Sequence, residues 1–295
     1  MKQLAIVTGG SAGIGTETVR TLAGRGHKVV LACRDVAKGQ GVAVGLPGDI
    51  TVRALDLADL SSVHHFADDF DLGAVDILVN NAGVMAGPLG HTVDGFERQI
   101  GTNHLGHVAL TALLLPRLLA APAARVVNVS SIAAHGANLT VANVEQQLRN
   151  PDPYEPMQVY SNSKLANQLF TVELDRRAKR AGTSLRSIAA HPGVSATGLF
   201  SVNHRNRGRR LLPWFVDNAQ KVVFQSARKG AACSVVAATD VTLQGGELIG
   251  PHGIKEWRGR PTTMSVYPAA QDEALAARLW DLSCDWVDAK FEFSA

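Results

Sequence analysis

The sequence predicts an α/β fold, a doubly wound parallel sheet with helices on both faces. Short runs rich in β-branched residues alternate with longer helical patterns from the first residues onward, and most positions in these runs are apolar. Continuous apolar strands that alternate with helices indicate a parallel sheet buried on both sides. The chain has 295 residues and no internal repeat or low-complexity linker. We therefore expect one domain over residues 1–295 rather than two small ones.

The elements are predicted in chain order from these patterns. Strands are expected at residues 4–7, 28–32, 51–55, 76–79, 125–129 and 185–189. Helices are expected between them at residues 13–25, 59–70, 94–119 and 159–180. After the sixth strand the pattern loosens, and a helix at 226–239, a short strand at 247–249 and a C-terminal helix at 269–287 follow. The segment at about 196–225 is expected to form a lid over a cleft.

Composition excludes several classes of function. A net charge of +3 is too small to indicate a nucleic-acid partner. The three cysteines are far apart and form no C-x-x-C pair, which favours reduced thiols in a cytoplasmic protein and no metal site. The longest apolar stretch, residues 108–124, is interrupted by Pro116 and Arg117, so we expect a buried helix and no membrane span. The start of the chain leads directly into an apolar strand, without room for a signal peptide.

A glycine-rich turn lies between the first strand and the first helix, with the sequence TGGSAGIG at residues 8–15. Glycines allow a pyrophosphate to approach the backbone, and the helix start supplies N–H groups and a positive dipole. Glycines also form ordinary turns, so the strand–turn–helix setting is what favours nucleotide binding. The expected cofactor contacts in this turn are Thr8, Gly9, Ser11, Gly13, Ile14 and Gly15.

The end of the second predicted strand indicates whether the ribose of the bound dinucleotide carries a 2′-hydroxyl or a 2′-phosphate. An NAD site usually places a carboxylate there for the 2′-hydroxyl, whereas an arginine suits a 2′-phosphate. Here Cys33 takes the place where the acid is expected, and Arg34 follows it. NADP(H) is therefore favoured over NAD(H), with Ser11 as a second donor to the phosphate. The alternative is that Arg34 is a surface charge and Asp35 binds the hydroxyl.

Tyr160 and Lys164 are four positions apart in the chain and therefore share one face of a predicted helix. An ammonium about 4 Å from a phenol, at an effective dielectric of about 20, favours the phenolate by roughly 4 kcal/mol, or nearly three pKa units. Such a tyrosine can serve as an acid or base near neutral pH. The pair alone is a common pattern, and its interpretation depends on the rest of the chain.

With the glycine-rich turn, NNAG at 80–83, YSNSK at 160–164 and HPG at 191–193 in this order, the chain resembles the short-chain dehydrogenase/reductase family. Within it, ACRD at 32–35, NHLGH at 103–107, SKLAN at 163–167 and the long gap from Ser131 to Tyr160 resemble the retinol-dehydrogenase-like branch. The resemblance implies a single-domain Rossmann-type fold. Its cofactor half would span about 1–130, and its catalytic and substrate half about 131–295.

The resemblance also implies roles for individual residues. Tyr160 would be the acid or base, Lys164 would lower its pKa, Ser131 would bind the substrate oxygen, and Asn103 would kink its helix and hold a water that relays protons to Lys164. Ser130 is the weaker candidate because alternation along a strand points it the other way. Further cofactor contacts are expected at Asp56, Leu57, Asn81, Ala82, Gly83, Tyr160, Lys164, Pro192, Gly193, Val194 and Thr197, with Lys164 bonding the nicotinamide ribose.

The implied function is an NADP-dependent oxidoreductase, a carbonyl reductase (ketoreductase) or alcohol dehydrogenase acting on a hydrophobic small molecule. Two alternatives are an enzyme of the same fold that reduces a C=C bond and a non-catalytic nucleotide-sensing protein. Pocket positions are expected at Met85, His135, Met157, Leu199, Phe200 and Trp214. Residues 205–215 mix four arginines with apolar residues, which favours a lid over attachment to an anionic membrane or a solvated loop. Relatives pair their long helices, so a homodimer or tetramer is expected.

Overall fold

The computed structural model describes residues 2–194 and 226–293. Its strands are β1 (Leu4–Thr8), β2 (Lys28–Cys33), β3 (Asp49–Ala54), β4 (Ile77–Asn80), β5 (Arg125–Val129), β6 (Arg186–Ala190), β7 (Leu248–Pro251) and β8 (Pro261–Met264). They form one sheet in the order β3-β2-β1-β4-β5-β6-β7-β8. All neighbouring pairs are parallel except β7 and β8. The predicted parallel sheet is confirmed, with an antiparallel edge strand that the pattern did not reveal.

Helices connect most of these strands within the described ranges. In chain order they are α1 (Gly13–Gly24), α2 (Val36–Val44), α3 (Leu60–Asp68), α4 (Arg98–Ile100, Gly101–Leu105 and Gly106–Leu119), α5 (Val144–Arg149), α6 (Pro156–Arg180), α7 (Ala227–Thr239) and α8 (Glu273–Trp286). None of these helices is both long enough and apolar enough to span a bilayer. The predicted lid at 196–225 lies outside the described residues.

The sequence pattern missed α2 because two glycines interrupt its nine residues. Glycine weakens a helix by about 1 kcal/mol relative to alanine. The tertiary structure requires the first of them, because a Cβ at Gly39 would lie 2.7 Å from the Cys33 sulfur. The carboxylate of Asp35 accepts a hydrogen bond from the Lys38 amide and caps the helix. The short helix α5 was also not predicted.

The predicted helix at 94–119 begins four residues later than expected and contains a π-helical turn. Gly95 has a positive φ of 81°, and the Glu97 carboxylate then caps the first turn at 2.9 Å from the amides of Gln99 and Ile100. Residues Gly101–Leu105 form a π-helical turn inside α4. Such turns are often found at functional sites. Asn103 lies in the middle of this turn, and the kink expected there stays a prediction.

The predicted C-terminal helix at 269–287 is two elements in the structure. A 3-10 turn at Pro268–Gln271 precedes α8, and Asp272 caps α8 by accepting a hydrogen bond from the Leu275 amide at 3.0 Å. The cap residue has an extended backbone, which separates the turn from the helix.

Helices cover both faces of the sheet. Residues alternate along β1, so that Ile6 faces the side of α3, α4, α6 and α8, whereas Val7 faces the side of α1 and α7. Because β1 pairs with both β2 and β4, the strand order reverses beside β1. The carboxyl ends of the strands at such a reversal form the crevice where α/β proteins bind their ligands.

Candidate functional site

The glycine-rich turn follows β1 at this crevice. Gly9 and Gly13 have φ values of +67° and +56°, in the left-handed region that favours glycine. A Cβ at Gly15 would lie 2.3 Å from the Gly9 carbonyl oxygen, so only glycine allows the turn to close. No described side chain caps α1 at Ala12, which leaves its first amides available to an anion. This backbone fits the pyrophosphate of a dinucleotide.

Thr8 is buried and does not offer its hydroxyl to a ligand. Its Oγ1 accepts hydrogen bonds from the amides of Asn81 and Ala82, both at 2.9 Å, and lies 2.9 Å from Nε2 of His107. The Asn81 side chain donates to the Thr8 carbonyl at 2.8 Å. The Thr8 side chain thus joins the ends of β1 and β4, and the expected contact of Thr8 with the cofactor stays a prediction.

The end of β2 places Arg34 on the surface beside the glycine-rich turn. Asp35 is engaged as the cap of α2, and Cys33 is hydrogen-bonded to Ser11. Burial raises the pKa of the Cys33 thiol, which stays neutral. At the end of β2 the carboxylate of Asp35 is thus already engaged in capping α2, whereas the Arg34 side chain is exposed.

The end of β3 brings Asp56 and Leu57 to the same edge of the sheet. The Asp56 carboxylate accepts a hydrogen bond from the Ala58 amide at 3.0 Å, and the Asp56 amide donates to Ser62 at 3.0 Å. The Leu57 side chain is buried, and its carbonyl approaches α4 where Gly106 leaves room. The expected adenine contact of these residues stays a prediction.

Tyr160, Lys164 and Ser131 meet at the carboxyl end of β5. Tyr160 and Lys164 are buried on α6, and the Ser131 hydroxyl is hydrogen-bonded to the phenol. Ser130 points the other way, as expected, and donates to the Lys164 carbonyl at 2.8 Å. The structure therefore brings together Ser131, Tyr160 and Lys164 and places Ser130 in the interior.

The expected lowering of the Tyr160 pKa is not found in this arrangement. Burial raises the pKa of the phenol, and the hydrogen bond with Ser131 only partly opposes this. The Lys164 ammonium donates to the Val129 carbonyl at 3.0 Å and lies 5.9 Å from the centre of the Tyr160 ring. Burial also lowers the pKa of Lys164 to about 8. The two residues share one face of α6 as predicted, and the Lys164 ammonium is bonded to the backbone of β5.

Asn103 sits in the π-helical turn and supports the same helix. Its side chain accepts from the Val84 amide at 2.7 Å, donates to the Val84 carbonyl at 2.9 Å and donates to the Ser163 hydroxyl at 3.0 Å. Ser163 in turn donates to the Tyr160 carbonyl at 2.7 Å. The side chain of Asn103 thus holds α6 and the 84–87 loop together. The water relay to Lys164 stays a prediction.

Comparisons with known proteins agree with this geometry. Residues 3–143 match the family described as short chain dehydrogenase. The chain is 38% identical to retinol dehydrogenase 12 of Homo sapiens, and the alignment covers 98% of this chain and 88% of that relative. It is 39% identical to retinol dehydrogenase 11 of Homo sapiens, with 96% of this chain and 85% of that relative covered. The chain belongs to the short-chain dehydrogenase family. It lies in the branch that resembles the retinol dehydrogenases.

A solved structure supports the fold of this short-chain dehydrogenase over nearly its whole length. An uncharacterized protein from Mycobacterium Paratuberculosis is 41% identical and superposes with a TM-score of 0.80. The alignment covers 98% of this chain and 95% of that chain.

The turn after β6 carries the remaining described cofactor candidates of this short-chain dehydrogenase. Gly193 has a φ of +65°, and its amide donates to Nδ1 of His191 at 3.2 Å. The Val194 amide donates to the Trp257 carbonyl at 2.9 Å. Thr197 lies outside the described residues, so its role stays a prediction.

The expected pocket residues are spread over three elements. Met85 lies in the loop after β4, His135 in the 3-10 turn Ile132–Gly136 after Ser131, and Met157 in the first turn of α6 with 51% of its surface exposed. The remaining pocket candidates, Leu199, Phe200 and Trp214, lie outside the described residues.

Two residues at this site were missed from the sequence. His107 lies one turn after Asn103, and its ring joins the Asn103 carbonyl at 3.1 Å to the Thr8 hydroxyl. Burial lowers its pKa to about 3, so the ring is neutral. Glu256 enters the site from the connection between β7 and β8, more than sixty residues after His191. A histidine at i+4 from Asn103 was a usable signal for the first, but no local pattern marks Glu256.

Proposed function

We propose that this chain is an NADPH-dependent oxidoreductase that interconverts a carbonyl and an alcohol on a hydrophobic small molecule. The observation that carries the proposal is that the Ser131 hydroxyl is hydrogen-bonded to the buried Tyr160 phenol, at the same end of the sheet as an uncapped glycine-rich helix start. One hydroxyl can bind a substrate oxygen while the other transfers a proton to it. The ends of β1, β4, β5 and β6 place these groups at one edge of the sheet.

The residues would divide the reaction as follows. The bound cofactor supplies or accepts the hydride. Ser131 donates a hydrogen bond to the substrate oxygen, where negative charge develops during reduction. Tyr160 donates its proton to the same oxygen. The Lys164 charge, on the same face of α6, favours the phenolate that results, and its bond to Val129 fixes α6 against the strand that carries Ser131.

The preference for NADPH rests on the end of β2. Arg34 offers a planar guanidinium suited to a 2′-phosphate, whereas the Asp35 carboxylate already caps α2. A preference for NADPH favours the reductive direction under usual cellular cofactor ratios. The names of the retinol dehydrogenase relatives support a hydrophobic alcohol or aldehyde as substrate.

The proposed reaction is tested by following the absorbance of NADPH with a panel of hydrophobic aldehydes, ketones and quinones. We expect oxidation of NADPH coupled to formation of the matching alcohol. Product analysis separates this outcome from reduction of a C=C bond. Tight binding of NADPH without turnover on any substrate of the panel would instead support a nucleotide-sensing protein.

Arg34→Asp is expected to reverse the cofactor preference. Loss of one charge-assisted contact to the 2′-phosphate corresponds to a loss of about 10- to 100-fold in NADPH affinity. Binding of NADH, which lacks this phosphate, should change little. Both affinities are measured by titration of the cofactor fluorescence.

Arg180→Asp serves as the control, because it makes the same change of charge at an exposed position at the far end of α6. It should leave the ratio of NADPH to NADH affinity unchanged. An unaltered ratio in Arg34→Asp would show that Arg34 does not bind the phosphate.

A further inference from the structure

Glu256 brings a carboxylate to the site from the connection between β7 and β8. Its Oε2 accepts a hydrogen bond from the Tyr267 hydroxyl at 2.6 Å and lies 3.2 Å from Nε2 of His191. Its Oε1 lies 3.6 Å from Nε2 of His135. One side chain therefore contacts residues that belong to three separate segments of the chain.

The contact with His191 reaches the turn expected to lie beside the nicotinamide. His191 is fully buried, and its Nδ1 accepts from the Gly193 amide, so the neutral ring carries its hydrogen on Nε2, the atom nearest Glu256. Nε2 and Oε2 are poorly aligned for a hydrogen bond, and their contact is mainly electrostatic. A Cβ at Gly250 would lie 2.2 Å from Nε2, so β7 leaves room for this ring.

The backbone beside Glu256 holds the same turn. The Trp257 carbonyl accepts from the Val194 amide at 2.9 Å. Residues 191–194 are therefore tied to the β7–β8 connection at both ends, by the Glu256 side chain and by the following peptide. A shift of this connection would move the Pro192-Gly193 backbone with it.

The contact with His135 reaches the substrate side. His135 belongs to the 3-10 turn that starts at Ser131, and its ring stacks on Tyr267 with centroids 3.5 Å apart. The Tyr267 amide donates to Gln168 at 2.9 Å, and Gln168 donates to Ser130 at 3.1 Å. Glu256 and Tyr267 thus connect the segment that carries Ser131 to the segment that carries Gly193.

The backbone of Glu256 is strained. Lys255 and Glu256 have φ values of +52° and +57°, which non-glycine residues rarely adopt. These two positions hold lysine and glutamate, whereas the glycines of the same connection stand at other positions, Gly253 and Gly259. Strain of this kind persists where surrounding contacts hold it, and it is common at functional sites.

From these contacts we infer that Glu256 is a positioning residue, which holds the His191–Val194 turn and the Ser131–Gly136 turn at a set distance around the Tyr160 phenol. This inference rests on the proposed function. It predicts that loss of the carboxylate misplaces the nicotinamide end of the cofactor relative to Ser131 and Tyr160. The phosphate-binding end, at the glycine-rich turn and Arg34, is far from Glu256 in the chain and should keep its affinity.

The test compares Glu256→Gly, Glu256→Gln and Lys255→Gly. Both glycine variants relieve the strain of a left-handed backbone conformation, but only Glu256→Gly removes the carboxylate. Glutamine keeps an oxygen for Tyr267 and His191. We expect Glu256→Gly to lower kcat by about tenfold or more, since small misplacements of reacting groups are costly. The Kd of NADPH, from fluorescence titration, should stay within about threefold, and Lys255→Gly and Glu256→Gln should keep kcat within about threefold.

Thermal unfolding separates positioning from folding. We expect the Tm of Glu256→Gly to stay close to that of Lys255→Gly, because both lose the same backbone strain. A kcat of Glu256→Gly equal to that of Lys255→Gly would overturn the inference. An equal loss of kcat in Glu256→Gln and Glu256→Gly would also overturn it. The same holds if the loss of kcat in Glu256→Gly is accompanied by a large fall in its Tm. Turnover of the unmodified enzyme with NADPH tests the proposed function separately.

Discussion

Tyr160→Phe is expected to reduce kcat by about 10³-fold, because it removes the group that would exchange a proton with the substrate oxygen. The ring is buried, so phenylalanine fills the same space. The stability cost should be about 1 kcal/mol, from loss of the hydrogen bond with Ser131. The Kd of NADPH should change little, because phenylalanine keeps the ring and leaves the glycine-rich turn and Arg34 unaltered. Stopped-flow or steady-state assays and fluorescence titration measure the two quantities.

Ser161→Ala is the matched control for this variant. It removes a hydroxyl from the next position of α6, which is also buried, without touching the proposed proton transfer. We expect its kcat to stay within about twofold of the unmodified enzyme. If Tyr160→Phe kept more than a tenth of the original kcat, the proton would have to come from another group.

Lys164→Met is expected to abolish turnover and yet make the protein more stable at pH 7. Burial lowers the pKa of Lys164 from 10.5 to about 8, which corresponds to about 3 kcal/mol of unfavourable free energy for the charged form. Methionine has a similar length and no charge. The Val129 carbonyl keeps a partner, because Asn167 donates to it at 3.1 Å. The net gain in free energy of unfolding should be about 1 to 3 kcal/mol, measured by chemical denaturation.

The pH dependence of this gain follows from proton linkage. Between pH 8 and pH 10.5 the unfolded state keeps the Lys164 proton that the folded state has lost. The unfolded state then binds more protons, so the stability contribution of Lys164 rises with pH across this window. Below pH 8 its unfavourable contribution is complete and constant. The difference in unfolding free energy between Lys164→Met and the unmodified enzyme should therefore shrink as the pH rises from 8 to 10.5.

Lys179→Met, on the same helix, tests the sign of the change in unfolding free energy. Lys179 is half-exposed and pairs at 2.6 Å with Asp175, whose side chain is buried. Removing this lysine leaves a buried carboxylate without its cation, which should lower the free energy of unfolding by about 1 to 3 kcal/mol. The same substitution is thus expected to stabilise at position 164 and destabilise at position 179. A loss of stability in both variants would contradict the assigned burial cost of Lys164.

Much of the site follows from short stretches of sequence. The glycine-rich turn could be recognised because its glycines, the strand before it and the helix after it lie within a few residues of one another. The choice of Ser131 over Ser130 followed from the alternation of side chains along a strand. Both depend on local geometry, which a single sequence records directly.

Other features depend on distant contacts. The hydroxyl of Thr8 is bonded to the loop after β4 and lies beside His107, and neither partner could be read from the glycine-rich turn itself. The helix α2 was missed because two glycines interrupt it, and only the packing of Cys33 and Val52 explains the first of them, Gly39. The β8 edge strand is defined by its pairing with β7, and its own four residues show no clear pattern.

The sequence by itself determined the alternation of strands and helices, the position of the glycine-rich turn and the helical face shared by Tyr160 and Lys164. These features follow from periodicity and residue type over short distances. Only the tertiary structure decided that burial raises the pKa of Tyr160, that Lys164 donates to Val129, and that the Glu256 carboxylate lies against His135 and His191. Burial and the partners of a polar side chain are set by residues far away in the chain, so no local pattern contains them.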